Sequence, residues 1–386
     1  MSKNFDIIHG NPSQCLFAMV LPMMAAMFLN MAYNLVDSLW IGNLLGESAY
    51  AALTAATPIL LLLNSIAMGA TNGVAILLSQ AIGAGETRRT RTILFTSFIL
   101  SIVFSLGMTG LLEGMVSPLL RFLQVPSELY EMTCLYLRIY LIGYGAVYLY
   151  CYFAAVLRSF GDTVFQMLAM LVCTVLNGAL DPLLIHGFGL QGAAAATVLS
   201  QGICLGFMVC YLRKKALFSF HAADWSGKEL GTICLKSLPA AFQQSIPAIS
   251  TSVLTAIVSG FGVTALAAYG VAGKLELLLF YPAMSFQMVL TTIVGQCIGA
   301  GRRDRAWVYC KTALLWGGGL LIILSCGVVG LAHPLSELFV DSKAVAEVVA
   351  GYFQVVSVGY LFNMETNCFL GAVNGMGHPG RSMLCM

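Results

Sequence analysis

Two carboxylates in this chain sit where a carboxylate is costly. Asp181 lies within LVCTVLNGALDPLLI, Leu171 to Ile185, and Asp37 lies near the end of the first apolar stretch. Even lenient insertion scales charge about 2.5 to 3.5 kcal/mol for an Asp at mid-bilayer, so such a residue normally faces a water-filled cavity, a partner or an ion. Asn177 and Asp181 are four residues apart, which on a helix puts them one turn apart on one face. The spacing predicts that Asp37 and Asp181 meet inside one helical bundle beside Asn177. A hard cation such as Na+ takes several oxygens, and two carboxylates with an amide carbonyl supply them. A proton would use the pair differently, because two close carboxylates in partly dry surroundings do not both ionise easily and titrate as a unit. The competing reading makes Asp181 a turn residue before Pro182 and Asp37 an interfacial one.

The elements that must position these groups are membrane helices. Hydrophobic residues make up 59% of the 386 and charged residues 9%, a composition no water-facing surface tolerates. The apolar runs reach helix length and do not alternate as barrel strands do. The net charge of +2 gives no reason to expect nucleic acid. The first apolar run follows the mildly polar MSKNFDIIHGNPSQ and flows into a full span, so no cleaved leader is expected. Twelve cysteines scattered through apolar runs read as small core residues rather than disulfides. Ten spans are predicted: 15–42, 51–80, 92–116, 130–157, 163–186, 190–212, 231–259, 264–297, 307–331 and 345–374. Arg88, Arg89, Arg91, Arg158, Arg213 to Lys215, Lys228, Arg302, Arg303, Arg305 and Arg381 follow even-numbered spans. Glu47, Glu113, Glu128, Glu131, Glu337 and Asp341 occupy the alternate loops. The positive-inside rule then puts both termini in the cytoplasm.

The chain also repeats itself. QAIGAG at Gln80 to Gly85 recurs as QCIGAG at Gln296 to Gly301, an offset of 216 residues (80 to 296). The same offset superposes Arg89 on Arg305, Tyr136 on Tyr352, Tyr144 on Tyr360 and Gly161 on Gly377. Leu21-Pro22 returns as Leu238-Pro239 at an offset of 217 (22 to 239). Six spans per repeat enter the membrane in the same sense, so the expected pseudo-twofold runs along the membrane normal, as in transporters with a site between lobes. The expected lobes are 1–215 with six spans, a cytoplasmic linker at 216–230, and 231–386 with four spans where six are expected. The second repeat ends early, at VNGMGHPGRSMLCM, which reads as a truncation, with a genuine ten-span form as the alternative.

Over its whole length the chain resembles the multidrug and toxin extrusion (MATE) family. The resemblance is carried by LPMMAAMFLNMAYNLVDSLWIG around Asp37, the duplicated QxIGAG loops, and LDPLLIHGFGLQGAAAATVLSQ from Leu180 to Gln201. The Asn177 and Asp181 pattern is closer to the DinF-like and bacterial multidrug-export branches than to the NorM-like one. The resemblance implies an all-α, two-lobed fold of twelve helices and export of organic cations in exchange for Na+ or H+. It also implies a coupling site at Asp37, Asn177, Asp181 and Thr197, with Asp37, Asn177 and Asp181 as the Na+ ligands. No cofactor is expected beyond the coupling ion. The expected partners are a small organic cation and the lipid bilayer of the cytoplasmic membrane, with no obligate protein partner.

Other residues are candidates for substrate contact or gating. Tyr33, Met27 and Met31 lie close to Asp37 in sequence, and Met and aromatic side chains suit flat cations. Asn34 could hydrogen-bond Asp37 or simply contact another helix. Pro22 removes a backbone hydrogen bond fifteen residues before Asp37, and reads as a hinge or as a tolerated membrane-helix proline. Lys274 and Glu276 are two apart and so do not share a helix face; each should find a partner on another helix. Glu365, set among Phe362 and Phe369, is a candidate second protonation or substrate site, and His186 reads as interfacial. The glycine loops lack Walker spacing and a preceding strand, which sets aside phosphate binding. A lipid-linked precursor flippase of the same superfamily and an inactive fragment are the alternatives. An intramembrane aspartyl protease is disfavoured because its GxGD motif is absent, and an enzyme is not expected.

Overall fold

The computed structural model describes residues 6–123, 125–215, 224–337 and 343–386. Every regular element among them is a helix. The first half holds α1 (Pro12–Leu45), α2 (Glu47–Gly83), α3 (Thr87–Phe122), α4 (Ser127–Ile142), α5 (Tyr144–Ser159), α6 (Thr163–Phe188) and α7 (Leu190–Lys214). The second holds α8 (Gly227–Ser259), α9 (Val263–Gly299), α10 (Arg303–Glu337), α11 (Lys343–Gly375) and α12 (Pro379–Leu384). Local chemistry sets several boundaries. Asn11 caps α1 by accepting from Ser13 N and Gln14 N, with Pro12 at the first helical position. Asp162 caps α6 through Phe165 N, and Ser226 caps α8 through Glu229 N. Gly189, at φ 61°, supplies the left-handed turn that separates α6 from α7.

Eight of the described helices are long and apolar enough to cross a membrane, or nine when α4 and α5 count as one span bent by 49°. This differs from the ten predicted spans in two places. The predicted span 130–157 breaks at Gly143, where α7 comes so close that a Cβ would lie 2.1 Å from Val198 Cγ2. The helix over 231–259 forms as α8, but the pair Gln243 and Gln244 with Ser245, Ser250, Thr251 and Thr255 dilutes its apolar character. It is not among the spans that pass on composition. Residues 216–223 of the predicted linker and Asp341 lie outside the described residues. The repeat is visible in the helices themselves: α12 starts at Pro379, 216 residues after α6 starts at Thr163.

The packing crosses between the halves. Cys15, Leu16, Met19, Val20, Met23 and Met27 of α1 join the core formed by α9, α10 and α11. Further along the same helix, Ala26 and Tyr33 pack with Met170, Cys173 and Cys204 of α6 and α7. Pro22 lies between most of the first set and Tyr33. Correspondingly, α8 packs along α2 more extensively than along its own neighbour α9. Gly69 and Gly73 permit this approach, since a Cβ on them would lie 2.4 Å from the Ala240 carbonyl oxygen and from Ser237 Cα.

Candidate functional site

The α1 and α6 helices bring the predicted acids together. Asp37 is 8% exposed, and Asn177 and Asp181 are fully buried. Asn177 Nδ2 donates to Asp181 Oδ1 at 3.0 Å, so the four-residue spacing acts as a local brace for the carboxylate. Asp37 and Asp181 lie within electrostatic range of each other across the packed α1 and α6 helices. Asp37 Oδ1, Asp181 Oδ2, Asn177 Oδ1 and the Tyr33 hydroxyl are all buried without a hydrogen-bond partner. Leaving a buried polar group unpaired costs about 1–3 kcal/mol each. These unpaired atoms are lone-pair donors that a hard cation or a proton could take up.

Thr197 of α7 is buried at the same place. The Tyr33 hydroxyl lies beside Thr197 and Ser200 without reaching hydrogen-bond geometry with either. Met31 is half-buried. Asn34 is not part of the site: its side chain is exposed and donates to the Asn30 carbonyl at 2.7 Å. A separation of three residues would allow the contact, but the local backbone acceptor takes the Asn34 amide instead. Tyr136 of α4, 2% exposed, lies within electrostatic range of Asp37 and Asp181. Sequence reasoning missed it. Tyr136, Tyr140, Tyr144, Tyr148 and Tyr152 recur every four residues and are all buried, so the signal read as ordinary helix core.

The second half carries a separate acid. Glu276 Oε1 accepts from Tyr352 at 2.6 Å and from Tyr360 at 2.7 Å, both on α11. Tyr352, which is hydrogen-bonded to its acid, is the repeat counterpart of Tyr136, which lies within electrostatic range of Asp37 and Asp181, although the acids themselves do not superpose. Glu276 thus finds partners on another helix, as its spacing from Lys274 requires, while Lys274 is exposed. Glu365 is half-buried, but Phe362 and Phe369 are 60% and 51% exposed. Their spacing puts the three on one face of α11, and that face is largely exposed, so the rings do not wall the acid in as expected. Arg158, expected in a loop, is instead 4% exposed in the last turn of α5, where its Nη2 donates to Asn72 Oδ1 at 3.4 Å.

With this geometry in view, the comparisons with known proteins are specific. The family model MatE matches residues 22–183 and 239–386. The probable multidrug resistance protein YpnP of Bacillus subtilis is 29% identical over 306 residues, covering 78% of this chain and 69% of that protein. A FAD transporter of Shewanella oneidensis is 28% identical over 402 residues, covering 100% of this chain and 87% of that one. Among solved structures, one described as the outward-facing conformation of a multidrug resistance MATE family transporter of the MOP superfamily superposes with a TM-score of 0.91. It is 22% identical, and the match covers 100% of this chain and 87% of that one.

Proposed function

The chain belongs to the MatE family, and from that premise we propose that it is a secondary active antiporter, exporting organic cations in exchange for Na+ or H+ bound at Asp37 and Asp181. The observation that carries this reading is the buried carboxylate pair with its unpaired oxygens on two facing helices. Asp37, Asn177 and Asp181 would surround Na+ with oxygens, Thr197 and Tyr33 would complete the set, and a proton would be shared by the two acids. Both termini lie in the cytoplasm and the glycine loops at that end, by the distribution of arginines. The lobes 1–215 and 231–386 alternate between inward- and outward-open forms. Coupling requires ion and solute to prefer different forms, since a ligand that binds both equally shifts nothing. The membrane potential supplies about 2.3 kcal/mol per 100 mV for each inward charge. In the second lobe, Glu276, Lys274 and Glu365 serve substrate contact or gating.

Ethidium efflux from cells expressing the chain tests this under imposed Na+ or pH gradients. Asp37→Asn and Asp181→Asn are each expected to abolish gradient-driven efflux at unchanged membrane abundance, and the gradient that drives the wild type names the ion. Unchanged efflux in both variants would remove the pair from the mechanism. The FAD transporter's match over the whole chain favours a second cargo, a flavin dinucleotide. Riboflavin and FAD release into the medium, measured in the same cells, decides between the two.

A further inference from the structure

The duplicated glycine loops meet at the bundle's glycine-loop end, and they do so with two-fold symmetry. Gln80 Nε2 of the first lobe donates to the Gly375 carbonyl of the second at 2.8 Å. Gln296 Nε2 of the second lobe donates to the Ser159 carbonyl of the first, also at 2.8 Å. Gln80 and Gln296 are repeat counterparts, and so are Ser159 and Gly375, each pair 216 residues apart. The glycines one turn further on allow the contact. A Cβ on Gly83 would lie 2.0 Å from the Gln296 carbonyl oxygen, and one on Gly299 would lie 2.0 Å from the Gln80 carbonyl oxygen.

The arginines that follow repeat the pattern. Arg89 Nε donates to Glu229 in the first turn of α8 at 3.1 Å. Its counterpart Arg305 donates from Nε to the Ile7 carbonyl at 2.7 Å and from Nη2 to the Gly10 carbonyl, just ahead of α1. Each arginine therefore fastens the start of the other half's first helix to the core in which that start already packs, Ile7 to that of α9, α10 and α11 and α8 near Ile233 to that of α2, α3 and α5.

We infer that Gln80 and Gln296 form a two-fold latch that holds the lobes shut at the cytoplasmic end and must release for that end to open. The inference rests on the alternating lobes and the orientation proposed above. The amide donors are the specific element, because backbone carbonyls accept and a glutamine side chain can reach one across a glycine contact. Loss of both donors leaves two buried carbonyls without those partners only in the closed form, so it shifts the population toward the open form without touching the carboxylate site.

The test uses pairs of spin labels in a cysteine-free version of the full chain. One pair, Thr87→Cys with Arg303→Cys, reads the latch end; the other, Glu47→Cys with Gly260→Cys, reads the opposite end. All four positions are exposed. Pulsed dipolar distances are compared between the latch-intact chain, Gln80→Glu/Gln296→Glu at pH 8, and Gln80→Leu/Gln296→Leu. An ionised Glu keeps the shape and accepts only, and Leu keeps the approximate volume without polar atoms. The expected result is loss of the short-distance population at the latch end with a reciprocal shortening at the other. Unchanged distributions at the latch end in both variants would overturn the latch, as would equal broadening at both ends, which is general loosening. The distances are read whatever solute the chain moves, so failure of the efflux experiment and failure of the latch are separate outcomes.

Discussion

Asp181 is fully buried and takes one hydrogen bond from Asn177 at 3.0 Å while its other oxygen has none. A pair kept for stability would not be built that way, because replacing a buried polar pair by apolar groups is often neutral or stabilising, whereas breaking it is costly. Asn177→Leu alone is therefore expected to destabilise the protein by about 1–3 kcal/mol, read as a lower melting temperature in detergent. Asn177→Leu/Asp181→Leu is expected to recover most of that loss and to show no gradient-driven efflux. A double variant as unstable as the single one would mean that the pair is structural. These two residues were legible in the sequence because a carboxylate inside an apolar run is expensive and the four-residue spacing fixes its face. Thr197 was reached through family resemblance, and the structure buries it beside Tyr33. Tyr136 was not legible, since nothing in a four-residue stripe of tyrosines says which ring lies within electrostatic range of an acid on another helix.

At the scale of the element, α1 carries the argument. Its early turns pack in the core of α9, α10 and α11 and its later turns pack with α6 and α7, so the helix spans both of the bodies that move in the proposed cycle. Pro22 sits in the first of these regions and removes a backbone hydrogen bond from a helix of 34 residues. A proline in a helix interior costs about 3 kcal/mol relative to alanine, a cost that tertiary packing reduces but that favours bending where it falls. Pro22→Ala is expected to raise the melting temperature and slow efflux at least several-fold, while the ion that drives transport still shifts the melting temperature as it does in wild type. Faster or unchanged efflux would show that α1 moves as a straight rod. The sequence revealed the proline, but not that α1 joins two cores, because an apolar helix surface carries no label for the partner it packs against. The same limit hid the break between α4 and α5. LIGYG is apolar throughout and carries no proline, and the close approach of Val198 to Gly143 appears only once α7 is packed in place.

For the whole molecule, the repeat predicts more than the composition does. The two QxIGAG segments could be read from the sequence as equivalent, and a parallel duplication implies a two-fold axis along the membrane normal. Their contact across that axis could not be read, because equivalence does not say whether equivalent segments touch. The two halves also pack closely along α2 and α8, where Gly69 and Gly73 meet the backbone of Ala240 and Ser237. Without water to drive apolar faces together inside the bilayer, such contact depends on close packing, which small residues allow. Gly73→Leu must push the two helices apart, since its Cβ would start 2.4 Å from Ser237 Cα. Gly107→Leu in α3 adds the same side chain where nothing lies within 4 Å, and removing a helix-interior glycine there favours the helix by up to about 1 kcal/mol. The expected outcome is a lower melting temperature and lost efflux for Gly73→Leu, with both retained in Gly107→Leu. Equal tolerance of the two would mean that the α2–α8 contact contributes little to holding the lobes together, and closure would then rest on the symmetric contacts at the glycine-loop end.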